Sequence, residues 1–390
     1  MIEDARVCLG VLRAAGLGAA DERSRVDAHW YQEVSMEENS YRKLAEHLDR
    51  LPDGFPPSST GAELRLLKRL FTPEEAELAT HLTLDAEEAP VIATRAGLSL
   101  AEAEQRLREM ARRGLIMSVQ RGHGPTLYRA MPFVVGIYEF QVNALSEGLR
   151  HDLADYWSTV EERPRPETIP QLRTVPVNES IEPQLGALPY ELVNELVKAQ
   201  DRFAVAPCIC RRHARMSGGG CDAPEESCLI FGDFADYYAR TGRGRAIDRS
   251  EVMATLARAD AANLVLQPSN SQDVSWICCC CGCCCGVLGG LKRHPKPAEA
   301  VASSFIVRLE SDTCQGCWTC LERCQMGALS VGDDRVTLNS DRCIGCGLCV
   351  STCPSGALTL MRKPGSEQTR VPADMHATWR TISDAQAKPS

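Results

Sequence analysis

Nineteen of the twenty cysteines in this 390-residue chain fall between Cys208 and Cys353. Thiolates at short spacing are the ligands of zinc and of iron–sulfur clusters, so this half of the chain holds the chemistry. The last eight cysteines form two runs, Cys314, Cys317, Cys320 and Cys324, then Cys343, Cys346, Cys349 and Cys353. Each is spaced C-x2-C-x2-C-x3-C, and the second ends in Cys353–Pro354. The runs superpose with a constant offset of 29 residues: Cys314 on Cys343, Gly327 on Gly356, Ala328 on Ala357, Leu329 on Leu358. Such a repeat predicts two pseudo-symmetric halves, each with a cluster loop, a short helix and a strand. Gly316, Gly345 and Gly347 let backbone N–H groups approach the sulfurs. A zinc ribbon built from the same cysteines gives no reason for the repeat.

Upstream lie Cys208, Cys210, Cys221 and Cys228, spaced C-x-C-x10-C-x6-C, which suffices for one tetrahedral zinc site or one cubane cluster. The run ICCCCGCCCG then places seven cysteines in eight positions, Cys278 to Cys285. As a strand it would face Cys278 and Cys280 to one side and Cys279 and Cys281 to the other; as a helical turn, Cys281, Cys284 and Cys285 would share a face. A cube has four iron sites, so no single cube uses all seven. Gly282 and Gly286 point to a sharply folded loop. Three arrangements follow: a four-cysteine site within the run, one site shared with Cys208–Cys228, or a larger non-cubane cluster. Burial as small hydrophobes accounts for one or two of these cysteines, not eleven in 78 residues. Adjacent cysteines are also poorly placed to pair as disulfides. At least one further iron–sulfur cluster is favoured over zinc, because the neighbouring pair would then have an electron partner. Arg211, Arg212, His213 and Arg215 would offset its charge.

Residues 305–361 resemble bacterial-type two-[4Fe-4S] ferredoxins. The resemblance implies that the fourth cysteine of each run ligates the other cluster. The first [4Fe-4S] cluster would then be held by Cys314, Cys317, Cys320 and Cys353, and the second by Cys343, Cys346, Cys349 and Cys324. Two departures stand out: Gln325 follows Cys324 where the family usually has proline, and Trp318 occupies the place matched by Gly347. The wider span 41–361 is similar to a group of prokaryotic 4Fe-4S dicluster proteins. In that group a helix-turn-helix-like domain precedes a PCxCR segment, a cysteine cluster and a C-terminal ferredoxin. The positions carried over are Cys208, Cys210, Cys221, Cys228, Cys278, Cys280, Cys281, Cys283, Cys284 and Cys285, with Cys279 an extra. The resemblance implies electron transfer and names no substrate.

The elements that position these residues follow from periodicity. Residues 1–50 read as helical, with Tyr41, Leu44, Leu48 and Leu51 on one face, and Cys8 alone in a helix as a core residue. LPDGFPPSST (51–60) reads as a linker. A helix over Glu63–Leu70 is followed by Thr72 as N-cap, Pro73 at the first position and Glu75 in a capping box, with the second helix running to about Leu82. A helical stretch over Asp85–Arg95, which Pro90 disturbs, a turn at Gly97, a helix from Ser99 to Arg113 and two short strands around Gly122 and Gly124 complete a winged helix-turn-helix order. Its Ser99–Arg113 helix mixes Arg106, Arg108, Arg112 and Arg113 with Glu102, Glu104 and Glu109, and those acids would meet phosphate badly. Docking or homodimerisation is therefore favoured over DNA binding through this helix and a wing bearing Arg121 and His123. His123 and His81 read as surface histidines.

Residues 141–205 read as a proline-broken connector with a helix over Tyr190–Phe203. TGRGRAIDRS is a loop before a helix over Asp248–Ala262, and the polar tail 363–390 is expected to be disordered. The expected chain is thus multidomain α+β. A helical segment (1–50), a winged-helix-like domain (61–140), the connector (141–205), a cysteine-rich metal-binding domain (206–300) and a ferredoxin-like domain (301–362) follow one another.

The net charge of −9 argues against a wholly basic nucleic-acid-binding surface. Glu3 and Asp4 and the short apolar stretches do not read as a signal peptide or a membrane span, so a cytoplasmic protein is expected. No phosphate-binding loop, dinucleotide fingerprint or nucleophile motif appears, so any catalysis falls to a metal cluster. The leading expectation is an iron–sulfur electron-transfer protein with a redox partner. A redox- or metal-sensing DNA-binding regulator and a reductase acting at the central cluster are the alternatives.

Overall fold

The computed structural model describes residues 38–162, 169–182, 185–368 and 370–386. Cys8, most of the expected N-terminal helical segment and most of RPRPETIP lie outside them. Residues 38–49 form helix α1, which buries Tyr41, Leu44 and Leu48 along one face, with Leu51 buried just beyond its end. The stretch after it is no free linker. Phe55 is buried with its ring 4.6 Å from that of Phe133 and 4.7 Å from that of Tyr156, so one aromatic anchors a proline-rich segment.

Helices α2 (Ala62–Leu70) and α3 (Pro73–Ala79) are joined at Thr72, whose side chain accepts from the Glu75 amide while the Glu75 carboxylate accepts from the Thr72 amide. Helix α3 stops at Ala79, short of Leu82. Residues Asp85–Glu88 are not helical, contrary to expectation. Strand β1 (Glu87–Glu88) comes first, and α4 (Ala89–Ala96) starts late enough to put Pro90 in its first turn, where a missing N–H costs nothing. Helix α5 (Leu100–Arg113) is capped by Ser99 and ends at Gly114 in the left-handed region. Strands β2 (Met117–Val119) and β3 (Leu127–Arg129) complete a sheet of order β1-β3-β2. A kinked turn and a short α6 (Tyr138–Phe140) lead to α7 (Glu147–Glu162), tied to α2 by Arg69–Asp152 at 2.6 Å and Arg65–Asp155 at 2.9 Å.

The expected Tyr190–Phe203 helix is shorter. Helix α8 covers Val193–Lys198, and Phe203 opens strand β4 (Phe203–Pro207), an unbroken apolar run suited to a strand covered on both faces. With β5 (Glu226–Phe231), β6 (Arg245–Ile247), β7 (Val265–Pro268) and β8 (Trp276–Cys280) it forms an antiparallel sheet of order β6-β4-β5-β8-β7. The segment read as a glycine loop therefore contributes the edge strand β6, paired to β4. Between the strands run α9 (Ile209–Met216), α10 (Gly232–Arg240) and α11 (Arg249–Ala261), the last capped by Asp248. After β8 come α12 (Gly286–Arg293) and α13 (Pro297–Ala300).

One sheet face, with Ala204, Ala206, Ile230 and Trp276, shares its core with α10 and the N-terminal elements; the Tyr237 hydroxyl donates to the carbonyl of Ala111 at 2.8 Å. The other, with Phe203, Val205, Leu229, Phe231 and Ile277, packs against α11 and the C-terminal residues Met326, Ile344 and Leu348.

The C-terminal unit pairs β9 (Phe305–Leu309) with the antiparallel β12 (Leu358–Arg362), and β10 (Leu329–Val331) with β11 (Val336–Leu338). Helix α14 (Thr319–Arg323) lies in the first half only; residues 348–352 of the second half form turns. The tail differs most from expectation. Helix α15 (Met375–Gln386) buries Met375, Trp379 and Ile382, spaced i, i+4, i+7 on one face. The Trp379 indole donates to Gln171 at 2.6 Å, and the Arg129 guanidinium lies over Trp379 at 5.3 Å and over Phe234 at 5.0 Å.

Candidate metal centres

The C-terminal cysteines gather in two interleaved groups. The charges of Cys317, Cys353 and Cys314 act on Cys320, while those of Cys346, Cys343, Cys324 and, more weakly, Cys320 act on Cys349. A cavity is lined by Cys324, Cys343, Cys346 and Cys349 together with Val307, Met326, Ile344 and Leu338. Burial pushes the Cys346 thiol up to about 12, so free thiolates are disfavoured there unless metal cations compensate them. The Ala328 amide reaches the Cys324 sulfur at 3.2 Å. Four converging thiols, a cradle and an N–H donor to sulfur fit an iron–sulfur cluster.

Backbone conformation repeats between the halves. Gly316 and Gly345, Trp318 and Gly347, Gly327 and Gly356 all have positive φ. At Gly345 a Cβ would lie 2.1 Å from the Phe305 carbonyl oxygen, so only glycine fits. Trp318 takes the left-handed conformation at φ 64 without glycine's freedom, packed against the C-terminal core.

The eleven upstream cysteines do not divide as their sequence spacing suggests. Cys208, Cys210, Cys228, Cys278, Cys280 and Cys285 form one group. Cys228 stands opposite Cys278 across β5 and β8. Electrostatic interactions couple Cys208 to Cys210, Cys228 to Cys278, Cys278 to Cys280 and Cys280 to Cys285. Cys208 and Cys285 are the N-caps of α9 and α12, so two helix N-termini point at the group. The neighbouring Cys210 thiol holds Cys208 down to about 7, and the Cys228 and Cys280 thiols lower Cys278 well below the usual thiol range.

Cys221 belongs elsewhere. Its sulfur lies 3.7 Å from that of Cys281 and 3.8 Å from that of Cys284, which is 3.6 Å from Cys283. All four sulfurs lie within 4.8 Å of one another. Burial alone would raise Cys281, but the Cys284 amide and Arg211 outweigh it and hold it at about 7. Cys279 joins neither group: strand alternation turns it into the apolar layer, where burial raises it to about 12.

Arg211, fully buried, lies between the two groups. Its charge acts on Cys208, Cys281 and Cys280, and it donates to the Cys279 carbonyl and to Pro224. Arg212 and Arg215 instead pair with Glu225, and His213 contacts the Tyr138 hydroxyl at 3.3 Å. Gln325, noted above only as a departure, accepts from the Gly282 amide at 2.7 Å and joins the cysteine turn to the C-terminal unit. Its polar side chain beside Cys324 was the available signal. Arg323 secures the same junction with a 2.6 Å ion pair to Asp260 and a bond to the Leu348 carbonyl.

Among the described residues no helix is long and apolar enough to cross a membrane. Comparison with curated proteins and with solved structures gives no match. Residues 306–362 match the family of 4Fe-4S dicluster domains, and the chain carries such a domain at its C-terminus.

Proposed function

We propose that this protein transfers electrons between the two C-terminal [4Fe-4S] clusters and a further iron–sulfur centre held by Cys208, Cys210, Cys228, Cys278, Cys280 and Cys285. The observation that carries this reading is the Gln325–Gly282 contact, which sets the ligand segment Cys324–Gln325 against the turn that follows Cys280 and leads to Cys285. Six thiols fed by two strands and two helix N-termini exceed what one tetrahedral metal ion uses. A partner protein would exchange electrons with the first cluster, whose Cys317 is exposed.

The N-terminal elements support a docking role. Helix order and the β1-β3-β2 sheet support reading this module as winged helix-turn-helix-like. Yet Arg106, Arg108 and Arg112 pair with Glu102, Glu104 and Glu109, and Arg113 pairs with Glu75. Arg121 of the wing is held by Asp233 on α10 at 2.6 Å. We take the module as a brace for the cysteine-rich sheet.

Iron and sulfide analysis of anaerobically purified protein, joined with EPR, tests the reading. More than eight irons per chain and a reducible signal beyond those of the two cubanes are expected; eight irons with no third signal would refute it.

A further inference from the structure

Cubane ligands each sit on a different iron, so their sulfurs are spread around a cube. Ligands of one tetrahedral ion instead share it. At a Zn–S distance of about 2.3 Å, the edges of the sulfur tetrahedron are roughly 3.8 Å. The three close pairs among Cys221, Cys281, Cys283 and Cys284 measure 3.7, 3.8 and 3.6 Å. The same chain supplies the contrast. Among the described residues no other group of three or more cysteine, histidine or carboxylate ligands gathers within 4.8 Å, so both C-terminal quartets and the six-thiol group are spread more widely.

We propose that Cys221, Cys281, Cys283 and Cys284 form a mononuclear tetrathiolate site for zinc, separate from the iron–sulfur centres. A complete set of four protein thiolates leaves no open position, the arrangement of a structural rather than a catalytic zinc. Cys281, Cys283 and Cys284 lie on the turn between β8 and α12, and Cys221 lies on the loop between α9 and β5, whose Cys221 carbonyl is held by Arg215 at 3.0 Å. A shared ion therefore clamps α9 to α12, the two helices whose N-caps are Cys208 and Cys285. Arg211, whose charge acts on Cys281, partly offsets the double negative charge of a zinc tetrathiolate.

The assignment does not depend on what the six-thiol group holds, so iron content separates its failure from that of the proposed function. Full-length protein purified anaerobically should contain about one zinc per chain, and cobalt(II) substituted for it should show the intense spectrum of a tetrahedral tetrathiolate. Cys283→Ser, at the exposed ligand, and Cys221→Ser should each weaken cobalt(II) retention at least tenfold. Iron, sulfide and the EPR of the reduced clusters should stay at wild-type levels, which also shows that the variants fold. Loss of iron and sulfide in step with Cys283→Ser, or a wild-type chain that takes up neither zinc nor cobalt(II), would overturn the proposal.

Discussion

The Gln325 side-chain carbonyl accepts a hydrogen bond from the Gly282 amide at 2.7 Å, joining the residue after Cys324 to the glycine between Cys281 and Cys283. Gln325→Leu removes the acceptor and costs about 1 kcal/mol, the net worth of such a bond. Gly282→Ala acts more strongly, since its Cβ would lie 2.6 Å from the Gln325 backbone oxygen. Both variants should slow electron exchange between the C-terminal clusters and the middle centre several-fold in stopped-flow reduction, with the EPR of the isolated cubanes retained. Unchanged kinetics in Gly282→Ala would remove this junction from the path.

The interleaving of Cys324 and Cys353 makes a crossed prediction. Cys324→Ser should disturb the cluster of Cys343, Cys346 and Cys349, and Cys353→Ser that of Cys314, Cys317 and Cys320. Each variant, read by EPR and iron content, should leave the other cubane's signal in place. If Cys324→Ser and Cys320→Ser altered the same signal, the assignment would be wrong.

Gly347 and Gly356 have similar positive φ, 74 and 66, but different surroundings. A Cβ at Gly347 would lie 2.1 Å from the Ser180 hydroxyl, whereas Gly356 has nothing within 4 Å. Gly356→Ala should therefore cost only the left-handed penalty of about 1 kcal/mol. Gly347→Ala should cost about 2 kcal/mol more through overpacking. Denaturant unfolding of the two variants measures the difference.

The arginines of the α5 helix are already engaged by acids, so the full-length protein should show no salt-dependent binding to duplex DNA, oxidised or reduced, at physiological ionic strength. Fluorescence anisotropy with a labelled duplex checks it; affinity that falls steeply with salt would restore the regulator reading.

His47 is held down at about 4 because burial disfavours its charged form and Arg50 repels it. The unfolded chain takes up this proton near pH 6.5 and the folded chain only near pH 4. Stability from His47 is therefore complete above pH 6.5 and is lost as pH falls toward 4, by up to about 3 kcal/mol. His47→Met should be less acid-sensitive than wild type over that window, as read from denaturant midpoints.

Legibility in the sequence followed the range of the interactions involved. Helix α5, with Ser99 at one end and Gly114 at the other, is specified by local rules and stands where periodicity places it. The C-terminal 4Fe-4S dicluster domain is legible because a repeat declares itself. The split of the upstream cysteines was hidden, because Cys221 and Cys228 are seven positions apart yet join different groups once β5 pairs with β8. Spacing counts residues along one segment; pairing across a sheet does not. Helix α15 was missed because overall polarity outweighed a three-residue apolar stripe in its reading.

Strand β8 raises a problem of counting. Cys278, Cys279, Cys280 and Cys281 are alike, so a strand that paired one position out of step would still offer thiols to the metal side. Ligand identity cannot reject that error. The preceding residues can. Trp276 packs edge-on against Phe234 at 5.3 Å on one face, and Ile277 is fully buried on the other. A slip would exchange a large indole with a smaller branched chain in two filled cores. Two apolar residues thus keep the reading frame of the cysteines, and swapping them should disrupt the proposed centre while leaving every cysteine in the sequence.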